Sequence, residues 1–171
     1  MRNAAIAAVA VLVASVVARL LAPGFSLYLE PWHVTRQLHA WQLVTWIPAG
    51  ASLTFLAHAV LLAFAISRGA TVPHWLGTTF IAGVLTTLLG SAVPAIYSCT
   101  FTGAGVGASA SLSAWASSLK GPRRAAATGL ALLPAALDAA VDGLYVLVPF
   151  GFALIASALW VRRGRRSHPK G

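Results

Sequence analysis

Charge is scarce in this sequence, and negative charge scarcest of all. Charged residues make up 9% of the 171 residues, and only Glu30, Asp138 and Asp142 are acidic. With 58% hydrophobic residues and a mean hydropathy of +0.81, the chain lies far from the balance of a soluble globular domain. An integral membrane protein is the class that remains. The single cysteine, Cys99, excludes an internal disulfide and any cysteine-based metal cluster. No His-Glu-x-x-His zinc site and no phosphate-binding loop ending in Lys-Ser/Thr occur. Residues 103–108 loosely satisfy the Gly-x-Gly-x-x-Ala pattern of dinucleotide sites. No alternating strand-helix unit surrounds them and no acidic residue follows at the required distance, so no cofactor is expected.

What the chain does have is basic charge, apolar runs and small residues. Twelve basic residues stand against three acidic ones, a balance that in a soluble protein would point to nucleic acid. Here they gather between apolar runs and at the C-terminus, so membrane topology accounts for them and no nucleic-acid partner is expected. Ten of the twelve are arginine, and alanine is abundant, a composition that points to a GC-rich bacterial genome.

Six apolar runs are long enough to cross a bilayer as helices. The first, residues 4–22, follows Arg2 and lacks a small-x-small cleavage site, so a retained helix is preferred to a signal peptide. Residues 23–40 form a polar, aromatic interruption with Phe25, Tyr28, Trp32, Glu30, His33, Arg36 and His39, suited to the headgroup region. Further runs cover residues 41–66, 75–98, 103–119, 125–140 and 143–161, with kinks expected at Pro48, Pro94 and Pro134. Residues 120–124 read as a loop, and residues 162–171 as a basic, disordered tail. With the N-terminus inside, ten basic residues fall on the cytoplasmic side and only Arg19 and Arg36 outside. The expected architecture is all-α: one polytopic membrane domain over residues 1–161 with six transmembrane helices. Both termini lie in the cytoplasm of a cell with its inner or plasma membrane as host.

The chain is organised around the small-residue stretch that opens the fourth run. Gly105, Ser109, Ser113 and Ser117 recur every four residues and form one ridge on a helix. Such a ridge permits close helix approach inside a membrane. The same glycines also leave backbone N–H groups free near Ser109, where an oxyanion could be held. Both readings stand on the residues alone.

In order and spacing, four pieces resemble the rhomboid family of six-helix intramembrane serine proteases. Trp41-Gln42-Leu43-Val44-Thr45 resembles the entry to its second helix, and His58 falls where that helix carries a histidine. Leu76-Gly77-Thr78 with Phe80 resembles the opening of the third helix. Gly107-Ala108-Ser109-Ala110 resembles the Gly-x-Ser-x nucleophile motif, with alanine where the family usually has glycine. The resemblance implies a rhomboid-like bundle, Ser109 as candidate nucleophile and His58 as a candidate auxiliary or oxyanion residue. It also implies that transmembrane segments of other membrane proteins, within the lipid bilayer, are the partners.

Two departures bear on activity. The family pairs its serine with a histidine in the sixth helix, yet no histidine occurs between His74 and His168, and Tyr145-Val146 stands nearest that position. The oxyanion asparagine four residues after the second-helix histidine is replaced by Leu62. A serine hydroxyl needs a base to take its proton, and the remaining candidates are Asp142, Asp138, His58, His33 and His39. The two aspartates read more simply as residues flanking helix ends, and His58 as either a hydrogen-bonded core histidine or a functional group. The chain is expected to bind transmembrane segments without peptidase activity. An active protease using Ser109, and a small structural, channel or carrier subunit, are the alternatives.

Overall fold

The computed structural model describes residues 2–21, 28–47 and 54–167. Among them the regular structure is helical: α1 (Arg2–Leu21), α2 (Pro31–Arg36), α3 (Gln42–Thr45), α4 (Phe55–Ser67), α5 (Val72–Ala92), α6 (Pro94–Tyr97), α7 (Gly103–Ser117), α8 (Gly121–Asp142) and α9 (Leu147–Ser167). A 3-10 turn, Leu144–Val146, precedes α9, and one isolated antiparallel bridge joins Leu29 to Phe101.

The helix limits follow from local chemistry. Thr71 caps α5 by accepting from the His74 N–H at 3.3 Å, and Pro73 sits in the first turn, where its missing N–H costs nothing. Pro94 excludes helical geometry at Val93, which is extended. The expected kink there is therefore a break between α5 and α6. Gly143, with φ near 98°, stops α8.

Two expectations are corrected. Residues 121–124 are not a loop, because Gly121-Pro122-Arg123-Arg124 forms the first turn of α8. Proline is pre-shaped for that position, and arginine is a good helix former. Nor are residues 162–167 a disordered tail: α9 runs on to Ser167, and arginine is a residue type that helix C-termini favour. Residues 168–171 and Pro48, where a kink was expected, lie outside the described residues.

Helix α7 is the axle. It packs against α4, α5, α8 and α9, and every residue from Gly103 to Leu112 is buried. A helix can have four neighbours this close only if it projects almost nothing. A Cβ on Gly103 would stand 2.5 Å from the Trp46 carbonyl oxygen, and on Gly107 it would strike the Trp75 indole. The Gly103 N–H donates to the same Trp46 carbonyl at 3.0 Å, which fixes where α7 begins.

Polarity is arranged opposite to that of a soluble protein. On α5, Thr78, Thr79, Thr86 and Thr87 are buried while Phe80, Ile81, Leu85 and Leu88 are exposed. The Thr78 and Thr79 hydroxyls donate to their own helix, at 2.7 Å to His74 O and 2.8 Å to Trp75 O. They are thereby satisfied without water. Ile6, Val9, Val13 and Val17 on α1, and Ile155, Leu159 and Trp160 on α9, are likewise exposed. Exposed apolar faces, with hydroxyls turned inward among apolar core residues, suit a hydrocarbon solvent. Among the described residues three segments are long and apolar enough to cross a membrane: Val72–Ala92, Gly121–Asp142 and Leu144–Gly164.

The close approach to α7 yields a graded prediction. Gly103→Ala and Gly107→Ala should each destabilise by about 1–3 kcal/mol through overpacking. Gly129→Ala in α8, where nothing lies within 4 Å of the added carbon, should be neutral or stabilising by up to ~1 kcal/mol. Thermal unfolding in detergent measures all three, and equal tolerance would place α7 outside the centre.

Candidate functional site

Three buried polar groups meet α7, each where a small residue makes room. At Gly105, His58 from α4 faces Asp138 from α8, with Nε2 3.3 Å from Oδ1. His58 is fully buried and Asp138 2% exposed. A Cβ on Gly105 would lie 2.8 Å from Asp138 Oδ2 and from His58 Cε1, so this glycine is what admits the pair. The Pro134 carbonyl faces His58, and Thr54 stands beside Asp138. The His58–Asp138 approach is close but not aligned as a hydrogen bond, and His58 Nδ1 has no hydrogen-bond partner.

One turn along α7, about 6 Å, lies Ser109. It is fully buried, and its hydroxyl donates to the Ala131 carbonyl of α8 at 2.7 Å. Ala131 precedes Asp138 by seven residues, about 10 Å along the helix. Ser109 and the dyad thus occupy successive levels of one α4–α7–α8 seam. The hydroxyl proton points to a backbone acceptor rather than to an imidazole.

The third group sits where α7 meets α5 and α9. Ser157 Oγ donates to the Ala110 carbonyl at 2.9 Å and lies 3.2 Å from His74 Nε2. With the serine proton committed to Ala110, the histidine proton belongs on Nε2. His74 is 4% exposed and meets Trp160 edge-on, with ring centroids 5.8 Å apart.

The other histidines weighed as bases are placed in the segment before α3. His33 Nδ1 contacts Glu30 at 2.8 Å, and His39 stacks on Trp41 with centroids 4.2 Å apart. The Leu29–Phe101 bridge and a bond from Glu30 N to Gln42 Oε1 at 3.1 Å tie this segment to the start of α7 and to α3. Asp142 is the last residue of α8, which suits a helix-end role. Leu62, one turn beyond His58, is fully buried, and Val146 is 6% exposed.

The sequence names Asp138 among the candidate bases without its place in the core, and gives no sign of Ser157. Asp138 is not a helix-end residue at the interface, because α8 continues a full turn past it. One sequence signal could have found its partner. Ala127, Ala131, Pro134, Ala135 and Asp138 share one face of α8, and a carboxylate on a buried apolar face needs a partner. Ser157 gives no such signal, since serine in an apolar helix is ordinary. Among the described residues no three His, Cys, Asp or Glu side chains gather into a metal site.

Among the described residues the fold is all-helical, and its three long apolar helices point to a membrane protein. No family model, curated protein or solved structure matches it.

The dyad carries a prediction. His58→Leu or Asp138→Leu alone should destabilise by about 3–5 kcal/mol, because each leaves the other group buried and unpaired. The double variant should recover part of that loss, with a coupling energy of at least ~1 kcal/mol. Strict additivity in a double-mutant cycle, read by unfolding in detergent, would mean that the two groups do not interact.

Proposed function

We propose that the chain is a rhomboid-like, six-span membrane protein that binds transmembrane segments of other membrane proteins without cleaving them. Residues 41–66, the stretch that contains α3 and most of α4, provide the second span. The shorter α7 spans as the enclosed central helix. The basic residues concentrated at the α7–α8 link and toward the C-terminus support an orientation with both termini in the cytoplasm of an inner or plasma membrane.

The observation that carries the non-cleaving reading is the commitment of Ser109. Its hydroxyl is fully buried and gives its proton to Ala131 O at 2.7 Å. Its nearest histidine level is occupied by a pair turned toward each other. A nucleophile needs a base within hydrogen-bond reach. Client binding draws support from an apolar groove of about 950 Å³ between α1 and α5, lined by Ile6, Ala10, Ala14, Val44, Val72 and Leu76. Ala10 and Ala14 form a small-x-x-x-small pair, the pattern that lets a second helix approach closely.

One observation favours the protease alternative. Ser109, His58 and Asp138 stand within two levels of one seam, and His58 Nδ1 is unpartnered, so a rotated Ser109 side chain would have a histidine to seek. The same buried dyad also suits the carrier alternative, since ionisable groups at membrane depth mark ion and proton paths.

Serine-reactive labelling separates these readings. The purified chain should take no fluorophosphonate at Ser109 and cleave no model transmembrane substrate, because lack of a base forfeits roughly 10²–10⁴ in rate. A photo-crosslinker at Leu76 should meanwhile capture a transmembrane helix that one at Leu88 does not. Labelling that disappears in Ser109→Ala would contradict the proposal and establish the protease reading.

A further inference from the structure

Helices α8 and α9 both pack on α7 but scarcely touch each other. At the end of the molecule where α8 begins and α9 ends, they splay around a cleft of about 480 Å³. Its floor is the small-residue side of α7, Ser113, Ala116 and Ser117, and Leu132 and Leu154 line its body. Two arginines, Arg124 from α8 and Arg162 from α9, stand at it from opposite walls. The cleft is therefore cationic at one end and apolar at the other. From Arg124 to Leu132 it extends about 12 Å along α8.

Among the described residues no acidic side chain pairs with these arginines. It has three acidic residues. Glu30 contacts His33, and Asp138 faces His58 inside the bundle. Asp142 lies at the far end of α8, about 27 Å from Arg124. Among the described residues neither Arg124 nor Arg162 makes an ion pair. Two exposed arginines without an acidic partner suit an anionic ligand, and the apolar body below them suits one with a hydrocarbon tail.

We propose that this cleft is a binding site for one anionic phospholipid. The phosphate is held between the Arg124 and Arg162 guanidiniums, and one acyl chain lies along the α7 floor between α8 and α9. Guanidinium suits this role because its planar donors match phosphate oxygens in pairs, and basic pockets between transmembrane helices are known to take anionic headgroups. The volume is within the range of small-ligand sites. The small residues that let α7 sit at the centre of the bundle thus also leave room for the chain of a lipid. The proposal rests on the bilayer placement above and not on client binding or on the state of Ser109.

The test titrates the purified full chain in dodecyl maltoside with phosphatidylglycerol, or with phosphatidylcholine of the same chains, and reads the unfolding midpoint. Phosphatidylglycerol should raise the midpoint saturably. Phosphatidylcholine, inorganic phosphate and glycerol phosphate should not. Arg124→Gln with Arg162→Gln should weaken the apparent affinity roughly 30-fold, at about 1 kcal/mol for each arginine. Arg123→Gln with Arg163→Gln changes the net charge equally at exposed positions outside the cleft and should leave the affinity largely intact. Ala158→Phe, at an exposed position on the cleft wall, should block the chain's path and weaken binding with both arginines present. Equal weakening by the two arginine pairs, or equal stabilisation by inorganic phosphate, would overturn the site while leaving the bilayer placement standing. Recovery of the chain in the soluble fraction without detergent would instead overturn that placement, and the site with it.

Discussion

Close approach to a helix that projects almost no side chains is the constraint from which the rest of this structure follows. Gly103, Gly105 and Gly107 fall on the first turn and a half of α7, and each receives a different neighbour: the Trp46 backbone, the His58–Asp138 pair and the Trp75 indole. Inside a bilayer, helices gain little from hydrophobic burial against one another, because lipid tails are as apolar as leucine. Association then depends on dispersion contacts and interhelical polar bonds, both of which need short interaxial distances. A helix built mainly of glycine, alanine and serine, with Val106, Leu112 and Trp115 as its larger side chains, supplies them.

That choice also explains the polar groups. Where α7 offers no side chain, neighbours send theirs inward, and at membrane depth an inward polar group must find a partner. Ser109 bonds Ala131 of α8, and Ser157 of α9 bonds Ala110 of α7. These bonds join α7 to α8 and α9, which barely contact each other directly. The serine that by sequence looks most like a nucleophile therefore has a mechanical task in the bundle. Both roles call for a small residue on α7, which is why the motif alone does not separate them.

Much of this was legible in the sequence, and what was not has physical reasons. The all-helical fold, the breaks near Pro94 and Gly143 and the small-residue run of α7 are written in composition and local chemistry. The start of α8 was misread because Pro122, Arg123 and Arg124 resemble a loop, although proline is at home in a first helical turn. The end of α9 was misread in the same way, because its arginines look like a tail while suiting a helix C-terminus. Asp138 stands among the candidate bases but reads more simply as flanking a helix end. With α8 ended at residue 140 it flanks a terminus, whereas with α8 ended at Asp142 it faces the core. The His74–Ser157 contact joins residues 83 apart in sequence, and no local pattern announces it.

The central claim, that α7 is enclosed by the other helices, is tested most directly by hydrogen exchange on the intact protein in detergent. Amides of residues 107–117, bonded within α7 and walled by four neighbours, should exchange more slowly than those of α1 or the first two turns of α8. Those segments open locally at less cost. Exchange across α7 as fast as at the start of α8 would contradict the enclosed helix, and with it the account of why its residues are small.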